Sequence, residues 1–141
     1  MSKKTNVDFD YMNGTTANEV IQYFHSSFAD KHVIPDSLEL IWLKRAIARY
    51  ALELEELNFD DETQKFSQKL NPTVIDTLAL YMKKFYQERE LSKANKRISI
   101  VGKDVSINSG MSSSKFLESE LDNIELDIEK NIYNSTPSAY N

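Results

Sequence analysis

The chain has 141 residues, a formal net charge of −5 at pH 7, three glycines and no cysteine. That length suits one domain with a modest core; the lack of cysteine excludes disulfides and thiolate metal sites, and three glycines leave no room for a phosphate-cradling loop. The acidic balance speaks against wholesale binding to nucleic acid or anionic membrane, and with no membrane-length apolar run and no apolar segment after the first lysines, a soluble protein made in the cytoplasm is expected.

Residues 1–14 are polar and read as an arm. Thr16-Ala17-Asn18-Glu19 is a capping box, in which Thr16 caps a helix and Glu19 reaches back. Val20, Ile21, Phe24 and Phe28 follow on one face of a short first helix that ends near Ala29. Pro35-Asp36-Ser37 opens a second helix, with Asp36 or Ser37 as cap. Its seam is Leu40, Leu43, Ile47, Tyr50, Leu54 and Leu57, at alternating spacings of three and four. From Asn58 to Leu70 the chain is polar, with room for a helical turn or two. Asn71-Pro72 then starts a third helix, the asparagine as cap and the proline in the first turn. Val74, Ile75, Leu78, Tyr81, Met82, Phe85 and Tyr86 give it a broad apolar face. Leu43, Ile47, Tyr50 and Leu54 are expected to lie against Leu78, Met82 and Phe85 in an antiparallel pair.

Beyond Tyr86, only Leu91 continues that face while Arg89, Lys93 and Lys96 take over. Lys96 to Ser109 reads as a β-hairpin: Ile98, Ile100, Val105 and Ile107 alternate with Ser99 and Ser106 around a Gly102-Lys103 turn. That register sets Ile100 opposite Val105 and Ile98 opposite Ile107, so the apolar residues share a face that needs cover. Ser109 to Ser114 reads as a flexible linker. After it, Leu117, Leu121, Ile124, Ile128 and Ile132 form a narrow stripe on an acidic C-terminal helix running from about Lys115 to Asn131. One helix cannot bury such a stripe alone. It either folds back on its own bundle or docks on a neighbouring chain, and docking is the expectation carried forward. The charge is uneven: seven basic residues lie between Lys83 and Lys103 against Glu88 and Glu90, and six acids follow Lys115. The expected architecture is thus mainly α, a small helical bundle (15–95) with a β-hairpin extension (96–109), then a linker, a C-terminal amphipathic helix and a tail (110–141).

No residue pattern points to chemistry. His25, His32 and Asp30 straddle a helix end, so solvated or capping histidines are a better reading than a metal site. Glu53, Glu55 and Glu56 read as a solvated face. Catalytic, cofactor and metal sites are therefore not expected. The candidate interface residues are Ile98, Ile100, Val105 and Ile107 of the hairpin, Leu121, Ile124 and Ile128 of the last helix, and Trp42, which stands beside the seam either as a core-edge residue or as an interface anchor.

A short first helix, two long helices with an Asn-Pro start on the latter, a late extension and a polar tail resemble the head–tail connector, or adaptor, proteins of long-tailed bacteriophages. The resemblance covers Thr16 to Ile107 and rests on the helical stretches Leu38–Leu57 and Val74–Tyr86. It implies a non-enzymatic subunit of a ring in the virion neck, in contact with copies of itself, with the portal protein and with the next neck or tail protein. DNA would pass through its channel without sequence-specific binding. The alternative is a small helical binding or regulatory module of a mobile element.

Overall fold

In the computed structural model, which describes residues 13–28, 33–101 and 106–135 and the side chains of all of these except 98–101 and 106–113, the first helix opens on Thr16. Its hydroxyl accepts from the Glu19 amide at 3.2 Å, satisfying one of the donors that a helix start leaves unpaired. This helix, α1 (Ala17–Ser26), turns Ala17, Val20 and Phe24 inward. The second helix, α2 (Asp36–Glu53), departs from the expected cap: Asp36 is already helical and Pro35 holds the cap position, its carbonyl accepting from Leu38 and Glu39. The helix stops at Glu53, short of Leu57. Its buried face is also turned from the expected seam. Trp42, Leu43, Ala46 and Tyr50 are buried, while Leu40, Ile47 and Leu54 are only partly so. The bulk of Trp42 decides this rotation, because burying one indole removes more apolar surface than burying one aliphatic chain.

Where helical turns were expected between Asn58 and Leu70 there is a β-hairpin. β1 (Phe59–Asp60) and β2 (Lys65–Phe66) pair antiparallel, Phe59 opposite Phe66. The Asp60 carboxylate accepts from both the amide (3.1 Å) and the hydroxyl (2.6 Å) of Thr63, a side-chain-built turn. Gln64 closes it at φ 55°, a left-handed conformation costing about 1 kcal/mol or more for a non-glycine residue. Two backbone bonds offset that cost: Gln64 N–H donates to the Asp60 carbonyl and the Gln64 carbonyl accepts from Ala17, each at 2.8 Å. The second bond also satisfies the first amide of α1. Thr15 extends the fastening. Its carbonyl accepts from Phe66, and its buried hydroxyl accepts from the Leu70 amide at 2.8 Å.

α3 (Pro72–Val101) starts as the Asn-Pro pair suggests, with the Asn71 side chain accepting from Thr73 at 3.0 Å. At 30 residues it is about 45 Å long. The expected hairpin at 96–109 is absent: Lys96 to Val101 belong to α3, and Ser106 to Ser109 open α4 (Ser106–Ser135), which also absorbs the expected linker at Ser109–Ser114. Residues 102–105, including Gly102 and Val105, lie outside the described residues, as do most of the arm and the tail. The molecule is therefore mainly helical with a small two-stranded hairpin, but the hairpin stands between α2 and α3. The physical reason is that each end of the alternating isoleucine stretch is contiguous with a long helix. Extending a formed helix fixes one residue per hydrogen bond gained, whereas a lone hairpin has no sheet to join.

α3 is the central layer. On one side it meets α1 and α2, with Leu78, Met82, Phe85 and Tyr86 buried against them. Tyr86 meets Phe28 and Trp42 edge to face at centroid distances of 4.9 and 6.3 Å, and Phe24 completes the cluster. Each such pair contributes about 0.5–1.5 kcal/mol beyond its buried area. Arg45 of α2 lies 4.3 Å over the Phe85 ring, and Tyr81 donates to Glu53 at 2.7 Å, so α2 and α3 run in opposite directions as expected. On the other side α3 meets α4. Ser114 donates to Asn95 (2.8 Å), Lys84 pairs with Glu125 (2.6 Å), and Asn131 donates to Asp76 and Thr77 (3.0 and 3.2 Å). From Ser114 to Glu125 and from Asn95 to Lys84 are equal steps of eleven residues, three helical turns. The two helices thus form a regular antiparallel pair.

Candidate assembly interface

The residues that sequence singled out for contact between chains mostly end up inside this one. Ile124 and Ile128 are buried in the core cluster and Leu121 is partly covered. The C-terminal helix thus packs on its own subunit, and its stripe is not a free docking face. The cause is visible in α3: its α4-facing side offers Leu80, Gln87, Leu91 and Ala94, all at least partly buried, and Lys84 as partner for Glu125. Trp42, 4% exposed, is likewise a core residue and is not available to a partner. Ile98, Ile100 and Ile107 lie in helices, and Val105 falls outside the described residues.

Of the possible metal ligands, His25 is engaged by Glu39 at 2.5 Å, while Asp30 and His32 lie outside the described residues. The pair joins the last turn of α1 to the first turn of α2, where helix dipoles favour a cation and an anion respectively. That explains how Glu39 can be 4% exposed. A groove of about 510 Å³ opens beside it, lined by Asn18, Gln22, Asp36 and Ser37 among others. Among the described residues, no three His, Cys, Asp or Glu side chains are placed to hold a metal, and no helix is long and apolar enough to cross a membrane.

Among the described residues, the α3–α4 pair carries two charged surfaces. The first follows one stripe of α3. Ile75, Leu78, Met82 and Phe85 with Tyr86 are buried under α1 and α2; at the same three-and-four spacing the stripe continues as Arg89, Lys93 and Lys96, with Arg97 beside it. The contacts described above from α1 and α2 end at Tyr86. α3 then runs fifteen residues further to Val101, about 22 Å. This is a basic ledge. The Glu90 carboxylate lies 3.3 Å from Lys93 and 4.0 Å from Arg89, which moderates those two charges. Lys96 and Arg97 are exposed and have no ion-pair partner among the described residues.

The second surface runs along α4 from the edge of its contact with α3 round to its outer side. Glu118, Asp122, Glu125 and Glu129 recur at four, three and four residues, the spacing of one helical face. Beside them Leu126 (56% exposed) and Tyr133 (82%) stand opposite the buried Ile124 and Ile128. Only Glu125 of the four acids is paired among the described residues, with Lys84. The uneven charge of the sequence pointed to both surfaces, but the stripes became distinct only once the long helices were in place.

Comparison with protein-family models, with curated proteins and with solved structures finds no match for this chain.

Proposed function

We propose that this chain is a non-enzymatic structural subunit that works by assembling, and that its assembly is a head–tail connector ring of the kind its layout resembles. In that reading it sits in the virion neck, where its ring joins the portal to the next neck or tail protein and extends the DNA channel. One observation carries it: among the described residues the α3–α4 pair runs about 22 Å past the last contact of α1 and α2 and carries two exposed charged faces of opposite sign. A helix pair buries one side of each helix against the other. The uncovered sides of a projecting pair are surface that neighbouring subunits can use.

The test is a reconstitution. Purified chain is added to phage heads that carry a portal but lack neck proteins, and the particles are imaged. A ring of added density beneath the portal is the expected result. Heads that take up no chain, together with failure to capture portal protein in a pull-down, would refute the connector reading.

A further inference from the structure

Lys96 and Arg97 cannot be neutralised by Asp122 and Glu129 of their own subunit. Along the antiparallel pair Ser114 stands level with Asn95 and Glu125 with Lys84. At 1.5 Å per residue Asp122 and Glu129 are therefore about 14 and 24 Å along the pair from Lys96. Both exceed the distance over which exposed charges act at 0.1 M salt, about 10 Å.

The stripes do match each other in spacing. Arg89, Lys93 and Lys96 recur at four and three residues, as do Glu118, Asp122 and Glu125, which Glu129 extends by a turn. At 1.5 Å per residue the basic stripe covers about 10 Å and the acidic one about 16 Å. Along the lower half of α3 that side is covered by α1 and α2; along the upper half, among the described residues, Lys93, Lys96 and Arg97 are exposed.

From this we infer that the ledge of one copy receives the outer face of α4 of a second copy, an inference that rests on the assembly reading above. The second copy's α4 continues the layer that α1 and α2 leave off. Asp122 and Glu129 meet Lys96 and Arg97, which have no ion-pair partner among the described residues of their own subunit. Leu126 and Tyr133 offer apolar and aromatic surface to the aliphatic stems and the guanidinium of the ledge. Because the two surfaces differ, the contact is head-to-tail. A pair of copies keeps one free face of each kind, and repetition closes a ring or extends a filament. A second copy suits this ledge better than nucleic acid does, because the complementary acidic stripe is on the same chain and the whole chain is acidic.

The experiment uses full-length chain and reads mass by sedimentation and native mass spectrometry, in low salt and in about 1 M salt, where screening shrinks to about 3 Å. Wild type should form oligomers in low salt that dissociate in high salt. The pair Lys96→Gln with Arg97→Gln, and separately Asp122→Asn with Glu129→Gln, should each be monomeric, with circular dichroism and melting temperature unchanged because all four side chains are exposed. Mixing the two variants leaves one intact ledge and one intact α4 face, so a one-to-one dimer and nothing larger should form. The inference is overturned if wild type is monomeric in low salt, if either variant keeps the wild-type mass, or if the mixture stays monomeric. It is also overturned if the ledge substitutions abolish binding to a duplex DNA fragment while leaving mass unchanged. An oligomer that behaves as described but ignores the portal would refute the connector reading and leave this interface standing.

Discussion

Ile124→Ala tests whether α4 belongs to the fold of its own subunit. Ile124 is 2% exposed and lies between Lys84–Glu125 and the buried Ile128 on the α3-facing side. The substitution removes three methyl or methylene groups. At about 0.8 kcal/mol per buried group the transfer loss alone is about 2.4 kcal/mol. A cavity term comes on top, because helices tied on both sides by Lys84–Glu125 and Ser114–Asn95 cannot close fully over the gap; about 3 kcal/mol is expected, within the usual range for such truncations. For a chain of this size that corresponds to a fall in melting temperature of about 10 °C. The assay is thermal and urea unfolding followed by circular dichroism in high salt, where subunit contacts are screened. A melting temperature within a degree or two of wild type would refute the packing of α4 on α3.

Thr15→Val keeps the shape of a buried residue but strips the acceptor from the Leu70 amide; it should cost about 1–3 kcal/mol in urea unfolding. Burial first, then the hydrogen bond to Glu53 and that carboxylate's charge, raise the Tyr81 phenol above its ordinary value. Because the folded value exceeds the unfolded one, this contribution is complete below about pH 10 and is lost as pH rises through the folded value. Tyr81→Phe should flatten the fall in stability above pH 10 in a pH series of melts. The Asp60 carboxyl is held below its ordinary value, chiefly by the Thr63 hydroxyl and then by the Thr63 amide. Its contribution is present above about pH 4 and is lost as pH falls through the folded value, so Thr63→Val should shift the midpoint of the acid limb upward.

Local signals carried the start of each half of the fold. Thr16 with Glu19, and Asn71 with Pro72, fix helix starts through bonds made within three residues, so no distant partner can overrule them. The β-hairpin of β1 and β2 was harder to read because its turn is built from an Asp60–Thr63 side-chain bond and a left-handed glutamine, with no glycine to mark it. The converse error at Lys96–Ser109 came from β-branched alternation around a glycine. A competing signal was present. Leu91, Ala94, Ile98 and Val101 stand four, three and four, and then three apart counted from Gln87, the period of the helix already under way. Leu121, Ile124 and Ile128 read as a stripe that needs cover, but nothing near them in the sequence says whether their own bundle or another chain supplies it. The partner side of α3 mixes Lys84, Gln87 and Asn95 among its small apolar residues and does not look hydrophobic. The ledge and the outer acids of α4 could not be told apart from ordinary solvated charge until the layers were known.

The Thr15–Leu70 clasp has a consequence for the order of folding. Its two residues are 55 positions apart, and it ties the start of α1 to the segment that leads into α3. Closing that loop costs entropy that only native contacts on both sides return. The α3–α4 pair starts from a connection of four residues, and its contacts widen stepwise from there, 19 positions apart at Ser114–Asn95, 41 at Lys84–Glu125 and 55 at Asn131–Asp76. Local closure precedes distant closure, so the central pair forms as a template and α1, α2 and the hairpin dock on its inner side, with the clasp shut last. In pulsed hydrogen exchange the amides of Met82 and Ile124 should gain protection before that of Leu70. The opposite order would mean that the hairpin end nucleates the fold. During that interval the whole inner side of α3, from Ile75 to Arg97, is one uninterrupted open face. A neighbouring α4 that reached it then would trap the chain in the wrong pairing, and the speed of the clasp therefore sets how much subunit folds before it assembles.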